Sequence, residues 1–305
     1  MIGTDGLRLS LHPHPPLPLP WGGSRGGGRR KVWDMSYVWR LVLFAVAIAA
    51  AEEGGQAPLR GASPLEDAAS LVRQSQEAFY HAGTDLKARV KMTLLTKEGQ
   101  QRLRDLTMLR KNQAEGSQRY FLYFHGPPDV RGTIFMVYTY PNREDDRWLF
   151  IPALNLVQRV AARDSRSSFV GSDFSYEDVS GRDLEADTHR VVRTEALGSR
   201  QTVVIESVPT READYAKKLS WIEQVTFLPL KEEYYDVQGA PYKVFTTDEI
   251  RDVQGFPTVT KRTMTNVKTG HKTEVVYENV AYNVGLGEEI FTERALRRPP
   301  EKWLK

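Results

Sequence analysis

From Leu86 onward, apolar and polar positions alternate. Leu86, Ala88, Val90, Met92 and Leu94 interleave with Lys87, Arg89, Lys91 and Thr93. A period of two predicts a strand with one buried and one wet face. Glu98-Gly99-Gln100 supplies a turn, and 101–112 returns as the antiparallel partner. Residues 118–124 are apolar or aromatic on both faces and are broken by Gly126-Pro127-Pro128. A strand over 134–140 follows, then the polar loop 141–146. Trp148 to Ile151 reads as a short apolar strand stopped by Pro152, and Leu156 to Ala161 as another, with Arg159 pointing outward. Further strands are predicted at 188–196, 201–208, 219–227, 230–237, 243–252, 257–267 and 272–282. Gly198, Gly239, Gly255 and Gly270 lie in the turns between several of them.

Only the two ends of this array show helical spacing. Ser63 as N-cap, Pro64 at the first helical position and Glu66 completing a capping box start one helix. Ala68, Leu71, Val72, Ser75 and Phe79 continue it to about Ala82, and Gly83 ends it. A shorter helix is expected over 288–298. A helix followed by hairpin-linked strands predicts a mainly β protein with helices (α+β). Its architecture is one large curled antiparallel sheet, or an unclosed β-barrel, with a helix over the concave side. No fixed-period repeat is present, so 63–305 is expected to form a single domain.

The region before it is of another kind. Residues 1–34 are rich in Pro and Gly without periodicity, as in a disordered leader or a stretch upstream of the real start at Met35. Residues 35–51 read as a signal peptide. Arg40 precedes the apolar run Leu41 to Ala51, which is too short to span a bilayer comfortably and ends in an A-x-A pattern, placing cleavage near Ala51. An uncleaved anchor is the alternative, and Arg29-Arg30 fits twin-arginine export poorly. Residues 52–62 are a linker. Net charge is +3, but 1–51 carry six basic and two acidic residues, a net +4, so the remainder stands at −1. A nucleic-acid partner therefore loses its electrostatic basis. With no cysteine, disulfides, thiolate-bound zinc and a thiol nucleophile are all excluded, as is a lipid-modified N-terminal Cys.

Chemical motifs are sparse. His81, His125, His189 and His271 lack metal-ligand spacing to one another. Asp173, Glu177 and Asp178 read either as a paired-carboxylate site or, more simply, as acids at the start of a short helix capped around Ser172-Asp173. Ser172 lacks a nucleophile elbow, and Gly285-Leu286-Gly287 is too short for a dinucleotide loop. Gly171 predicts a sharp bend flanked by Phe169 and Phe174. No metal or cofactor is expected, and no enzymatic activity.

Two blocks resemble a known family. Residues 148–178 (WLFIPALNLVQRVAARDSRSSFVGSDFSYED), with the core Phe169 to Asp178, are similar to a signature of the outer-membrane lipoprotein-sorting, LolA-like family. A second match covers 221–224 and 227–236, within a region of resemblance running from about residue 64 to the C-terminus. The resemblance implies an unclosed barrel with a helical lid over an apolar cavity, working in the periplasm as a carrier of lipoprotein or lipid acyl chains. An inner-membrane transporter and an outer-membrane acceptor would be its partners, and a monomer is expected. Candidates for the cavity wall are Val90, Met92, Phe121, Tyr123, Phe135, Trp148, Phe150, Trp221 and Tyr235. The signature turn is Phe169, Gly171, Ser172, Asp173 and Phe174, and Arg159 and Arg166 are candidates for a lipid head group. Two other readings compete, and a third, an envelope hydrolase, is disfavoured by the missing motifs. One is a carrier of a hopanoid-type lipid beside a resistance-nodulation-division exporter. The other is an envelope interaction protein whose core is filled.

Overall fold

Alternation becomes strand throughout. In the computed structural model, residues 67–141 and 143–305 are described; the expected leader, signal peptide, linker and helix cap at Ser63-Pro64-Glu66 lie outside them. The described elements fall in one compact unit, Arg60–Lys305. In chain order they are α1 (Ala68–Tyr80), β1 (Asp85–Leu95), β2 (Gln101–Asn112), β3 (Gln118–Gly126), β4 (Ile134–Thr139), β5 (Asp146–Ile151) and β6 (Leu156–Arg159). Then come α2 (Tyr176–Ser180), β7 (Asp187–Leu197), β8 (Arg200–Pro209), β9 (Lys217–Glu223), β10 (Pro229–Tyr235), β11 (Pro241–Val253), β12 (Phe256–Asn266) and β13 (Lys272–Tyr282). Two short helices, α3 (Glu293–Arg297) and α4 (Glu301–Leu304), close the chain. None of the described helices is long and apolar enough to cross a membrane.

All thirteen strands form one sheet in the order β6-β5-β4-β3-β2-β1-β13-β12-β11-β10-β9-β8-β7. Consecutive strands, β6 and β7 excepted, pair in antiparallel fashion. The one long-range seam is β1 against β13, with Val90 opposite Tyr277 and Met92 opposite Val275. The meander would be a ring but for β6 and β7, which remain its two unpaired edges; the sheet is not closed. It is nevertheless curled. Tyr120 on β3 and Arg262 on β12 are four strands apart, about 19 Å on a flat sheet at ~4.8 Å per strand, yet they line one cavity.

Each face has its own core. The inner face gathers Ala88, Val90 and Met92 of β1, Leu122 and Phe124 of β3, Phe135 of β4, Phe245 of β11 and Met264 of β12. Helix α1 covers part of it, with the Phe79 ring 6.1 Å from that of Phe245. The outer face of β2–β5 carries a second cluster, Leu109, Phe121, Ile134, Met136 and Trp148, buried by Leu286, Ile290, Phe291, Leu296 and Leu304 of the C-terminal tail. That tail is anchored at Asp85. Its carboxylate accepts the N–H groups of Val284, Gly285 and Leu286 at 2.6, 2.9 and 2.8 Å.

Two predicted elements differ. The expected helix over 288–298 is a 3-10 turn, Glu288–Phe291, followed by α3, because the Thr292 side chain caps a new helix start at the Ala295 N–H. The strand expected over 219–227 stops at Glu223, where the chain turns and Phe227 takes a positive φ of 58°.

Candidate functional site

The connector between β6 and β7, residues 160–186, joins the two open edges by crossing the inner face. It holds the signature turn. The Phe169 N–H donates to the Phe174 carbonyl at 2.7 Å, closing a tight loop. Val170 and Gly171 both adopt left-handed φ values, 51° and 79°. Gly171 satisfies the bend predicted for it; a β-branched Val170 in this region costs about 1–2 kcal/mol, a strain the surrounding contacts must hold. The loop drives both phenylalanines inward, each 1 % exposed. Phe169 packs on Phe135, Phe124 and Tyr176 with centroids 5.4, 5.9 and 5.4 Å away.

Polar residues of the connector fasten it across the sheet. Asp173 accepts from the Thr273 hydroxyl and meets the His271 Nδ1, both at 2.7 Å, at the start of β13. It does not cap a helix. The cap of α2 is Ser175, two residues later, in a reciprocal capping box with Asp178: 3.1 Å to the Ser175 hydroxyl and 2.7 Å from the Ser175 N–H. Lys243 of β11 reaches the Asp178 carboxylate at 3.1 Å and that of Asp214 at 3.3 Å. Arg182 pairs with Glu177 at 2.9 Å and with Asp187 at 3.0 Å. Burial would raise the Asp178 pKa, but the Lys243 ammonium and the Ser175 N–H outweigh it and hold it below the usual range. For Lys243 burial opposes the charge, and the Asp178 and Asp214 carboxylates win and raise it. Glu177 is raised, its burial only partly offset by Arg182.

An open, largely polar cleft of about 580 Å³ lies between α1, residues 180–185 of the connector and the end of β3 and β4; the apolar inner face beneath α1 and the connector holds only small cavities. A cavity of about 90 Å³ lies between α1, the connector and the β7–β12 half; its walls include Lys218, Glu232, Asp178 and Arg262. A second, of about 60 Å³, lies under the C-terminal half of α1. A third, of about 30 Å³, lies beneath the connector and is lined mostly by apolar side chains, Val90, Met92, Leu106, Leu122 and Phe174 among them. Each is well below the roughly 300–1,000 Å³ of typical ligand pockets.

The cavity-wall candidates divide between the two faces. Val90, Met92 and Phe135 belong to the inner core, together with Phe169 and Phe174 of the signature turn. Phe121, Tyr123, Trp148 and Phe150 lie on the outer face under the C-terminal tail. Trp221 and Tyr235 are also outside. Their neighbours Ile222 and Tyr234 line the cavity of about 90 Å³, whereas Trp221 stacks under Lys231 at 4.6 Å and Tyr235 under Lys217 at 4.9 Å. Strand side chains alternate, so a shift of one residue inverts the face, and β3–β5 are apolar on both sides. Arg159 is exposed and paired with Asp146, and Arg166 is paired with Glu212; neither lines the three interior cavities. Ser172 is buried within the turn.

Several inward charges were missed by sequence reasoning, Arg110, Lys243 and Arg262 among them. Each is buried and each stands in phase with inward apolar neighbours, Met108, Phe245 and Met264 respectively. That in-phase charge was the available signal. Among the described residues no group of three or more His, Asp or Glu is arranged to hold a metal ion.

A sequence family described only as an uncharacterized protein matches residues 116–298. No curated protein matches the chain. Among solved structures, an outer membrane lipoprotein-sorting protein domain from Vibrio parahaemolyticus is 27 % identical with a TM-score of 0.71, covering 76 % of this chain and 98 % of that one. A DUF1329 family protein from Desulfovibrio piger is 25 % identical with a TM-score of 0.70, covering 75 % and 97 %. A LolA superfamily protein from Nitrosomonas europaea shares the fold at 20 % identity, with a TM-score of 0.60 and 75 % and 98 % coverage.

Proposed function

Because the chain belongs to the outer-membrane lipoprotein-sorting, LolA-like superfamily, we propose that it is a periplasmic carrier that shields lipid or lipoprotein acyl chains on their way toward the outer membrane, and that it is not an enzyme. One observation carries this reading. The apolar inner face of the sheet is closed by two segments outside the sheet, α1 and the 160–186 connector, and by no strand pairing between β6 and β7. Exposing a ~16-carbon chain to water costs about 0.8 kcal/mol per CH₂, roughly 12 kcal/mol in all. An apolar trough that opens removes most of that cost, and passing the chain to an equally apolar acceptor needs no nucleotide. The small cavities then belong to the empty, closed form, in which Phe169 and Phe174 occupy the place of the cargo.

The same small cavities favour a second reading, an envelope interaction protein with a filled core. Mass spectrometry of organic extracts from gently purified protein, with titration of a fluorescent fatty-acyl probe, separates the two. Co-purified lipid, or a saturable probe displaced by lipid, supports the carrier. A folded protein that yields no lipid and binds no probe refutes it and leaves the filled core.

A further inference from the structure

Two arginines without a carboxylate partner face each other's cavity at the centre of the inner face. Arg110 of β2 is 3 % exposed and Arg262 of β12 is 7 % exposed. Both line the cavity of about 60 Å³ under the end of α1, and none of the side chains lining it is a carboxylate; its polar groups are tyrosine and threonine hydroxyls. Arg110 donates to the Ala82 carbonyl. The Arg262 side chain makes no hydrogen bond or ion pair with any described residue, and the Asp178 and Glu232 carboxylates, which line the adjoining cavity of about 90 Å³ with it, are engaged by Lys243 and Lys218. Its guanidinium lies among the rings of Phe174, Tyr277 and Phe79, 4.9, 5.3 and 5.4 Å from their centroids. The Nε atoms of both arginines are buried with no hydrogen-bond partner.

A buried guanidinium is costly unless it is paired and hydrogen-bonded. Contacts with aromatic faces recover part of the cost, but a second unpaired cation in the same cavity adds to it. What the pair lacks is an oxyanion, for which the planar guanidinium fork is matched in geometry and charge. The cavity also continues toward an apolar one: Met108, Val179, Arg262 and Tyr277 line both it and the cavity beneath the connector. We propose that Arg110 and Arg262 form an anion site for the carboxylate or phosphate head of an acyl amphiphile whose tail runs under the connector among Val90, Met92 and Leu122. The tail assignment rests on the carrier reading; the anion site does not. The chemistry selects an acidic amphiphile over a neutral one.

The test is calorimetric titration of the purified protein with laurate, dodecyl phosphate, methyl laurate and inorganic phosphate, repeated on Arg262→Gln, Arg262→Met and Arg110→Gln. In the wild type, laurate or dodecyl phosphate is expected to bind about tenfold or more tighter than the methyl ester, the value of a charge-assisted hydrogen bond. The Arg262 variants should bring acid and ester level, and whichever acid wins names the head group. Equal binding of acids and ester by the wild type overturns the anion site while leaving the carrier reading intact, and so does an acid preference that survives in the folded variants. If none of the amphiphiles binds, the carrier reading fails. Inorganic phosphate that then binds the wild type and not Arg262→Gln keeps the anion site, and no phosphate binding overturns it. Loss of folding in both Arg262→Gln and Arg262→Met also overturns it, because an arginine kept for a ligand is dispensable to the empty protein.

Discussion

Asp178 is where the connector is held to the sheet, and its removal can be worked through. The Asp178→Ala substitution takes away one half of the α2 capping box, worth about 1 kcal/mol. It also takes the nearer of two carboxylates from Lys243, whose side chain is 8 % exposed, and leaves Asp214 at 3.3 Å. Breaking a buried ion pair costs about 3–5 kcal/mol when one charge is left alone. With Asp214 still present, about 2 kcal/mol is reasonable, for a total of about 3 kcal/mol. The Asp178→Asn/Lys243→Met double variant removes both charges, so it should be less destabilised than the sum of its single variants, with a coupling of about 1–3 kcal/mol. Urea titrations measure the stabilities, and hydrogen exchange over 169–181 locates the effect. Exchange there should accelerate well beyond that of β1 and β13 in Asp178→Ala, because the connector is released before the sheet. Binding of a hydrophobic dye should rise as Phe169 and Phe174 leave the inner face. A loss under about 1 kcal/mol, additive single variants, or an acceleration spread evenly over the sheet would refute the latch.

Three further outcomes are expected. His81, at the end of α1, has its pKa lowered to about 4, first by burial and then by the Arg110 charge. An unfolded histidine titrates near ~6.5 and so binds a proton that the folded one refuses. Stability should therefore be full above about pH 6.5 and fall by up to about 3 kcal/mol toward pH 4, and denaturant melts of His81→Gln should show a flatter pH profile over this window. Asp85→Ala removes the acceptor of three tail N–H groups, of which that of Leu286 is buried, and urea melts should show a loss of about 2 kcal/mol or more, with faster limited proteolysis beyond Tyr282. Finally, Val90→Glu, on the inner face, should abolish acyl-probe binding, whereas Tyr235→Glu, on the outer face beside Lys217, should leave the probe dissociation constant within about twofold.

Most of the strand content was legible because it is a local property. In β1, apolar residues alternate with Lys87, Arg89 and Lys91, and this pattern specifies a strand and which of its sides is dry, so Val90 and Met92 were assigned to the correct face. Turn residues such as Gly239 and Gly270 separate the hairpins wherever they fall. From the order of elements alone, a large antiparallel sheet with a covering helix follows. In β3 the same reasoning loses its footing. Tyr120, Leu122 and Phe124 go inward and Phe121 and Tyr123 outward, yet both sets are apolar, so alternation has no polar side to orient it. The outer set is dry because a tail about 170 residues further along the chain folds back onto it, held by Asp85. No local pattern encodes that contact. The route of the connector is likewise a tertiary matter. Phe169 and Gly171 announce a bend, but only the curled sheet, with β6 and β7 left unpaired, determines that the bend lies across the interior and that Asp178 meets Lys243 there. Arg262 is the last instance. Its phase with Met264 places it inward, but whether a charge placed inward meets a carboxylate or stays unpaired depends on which of thirteen strands the curl brings opposite.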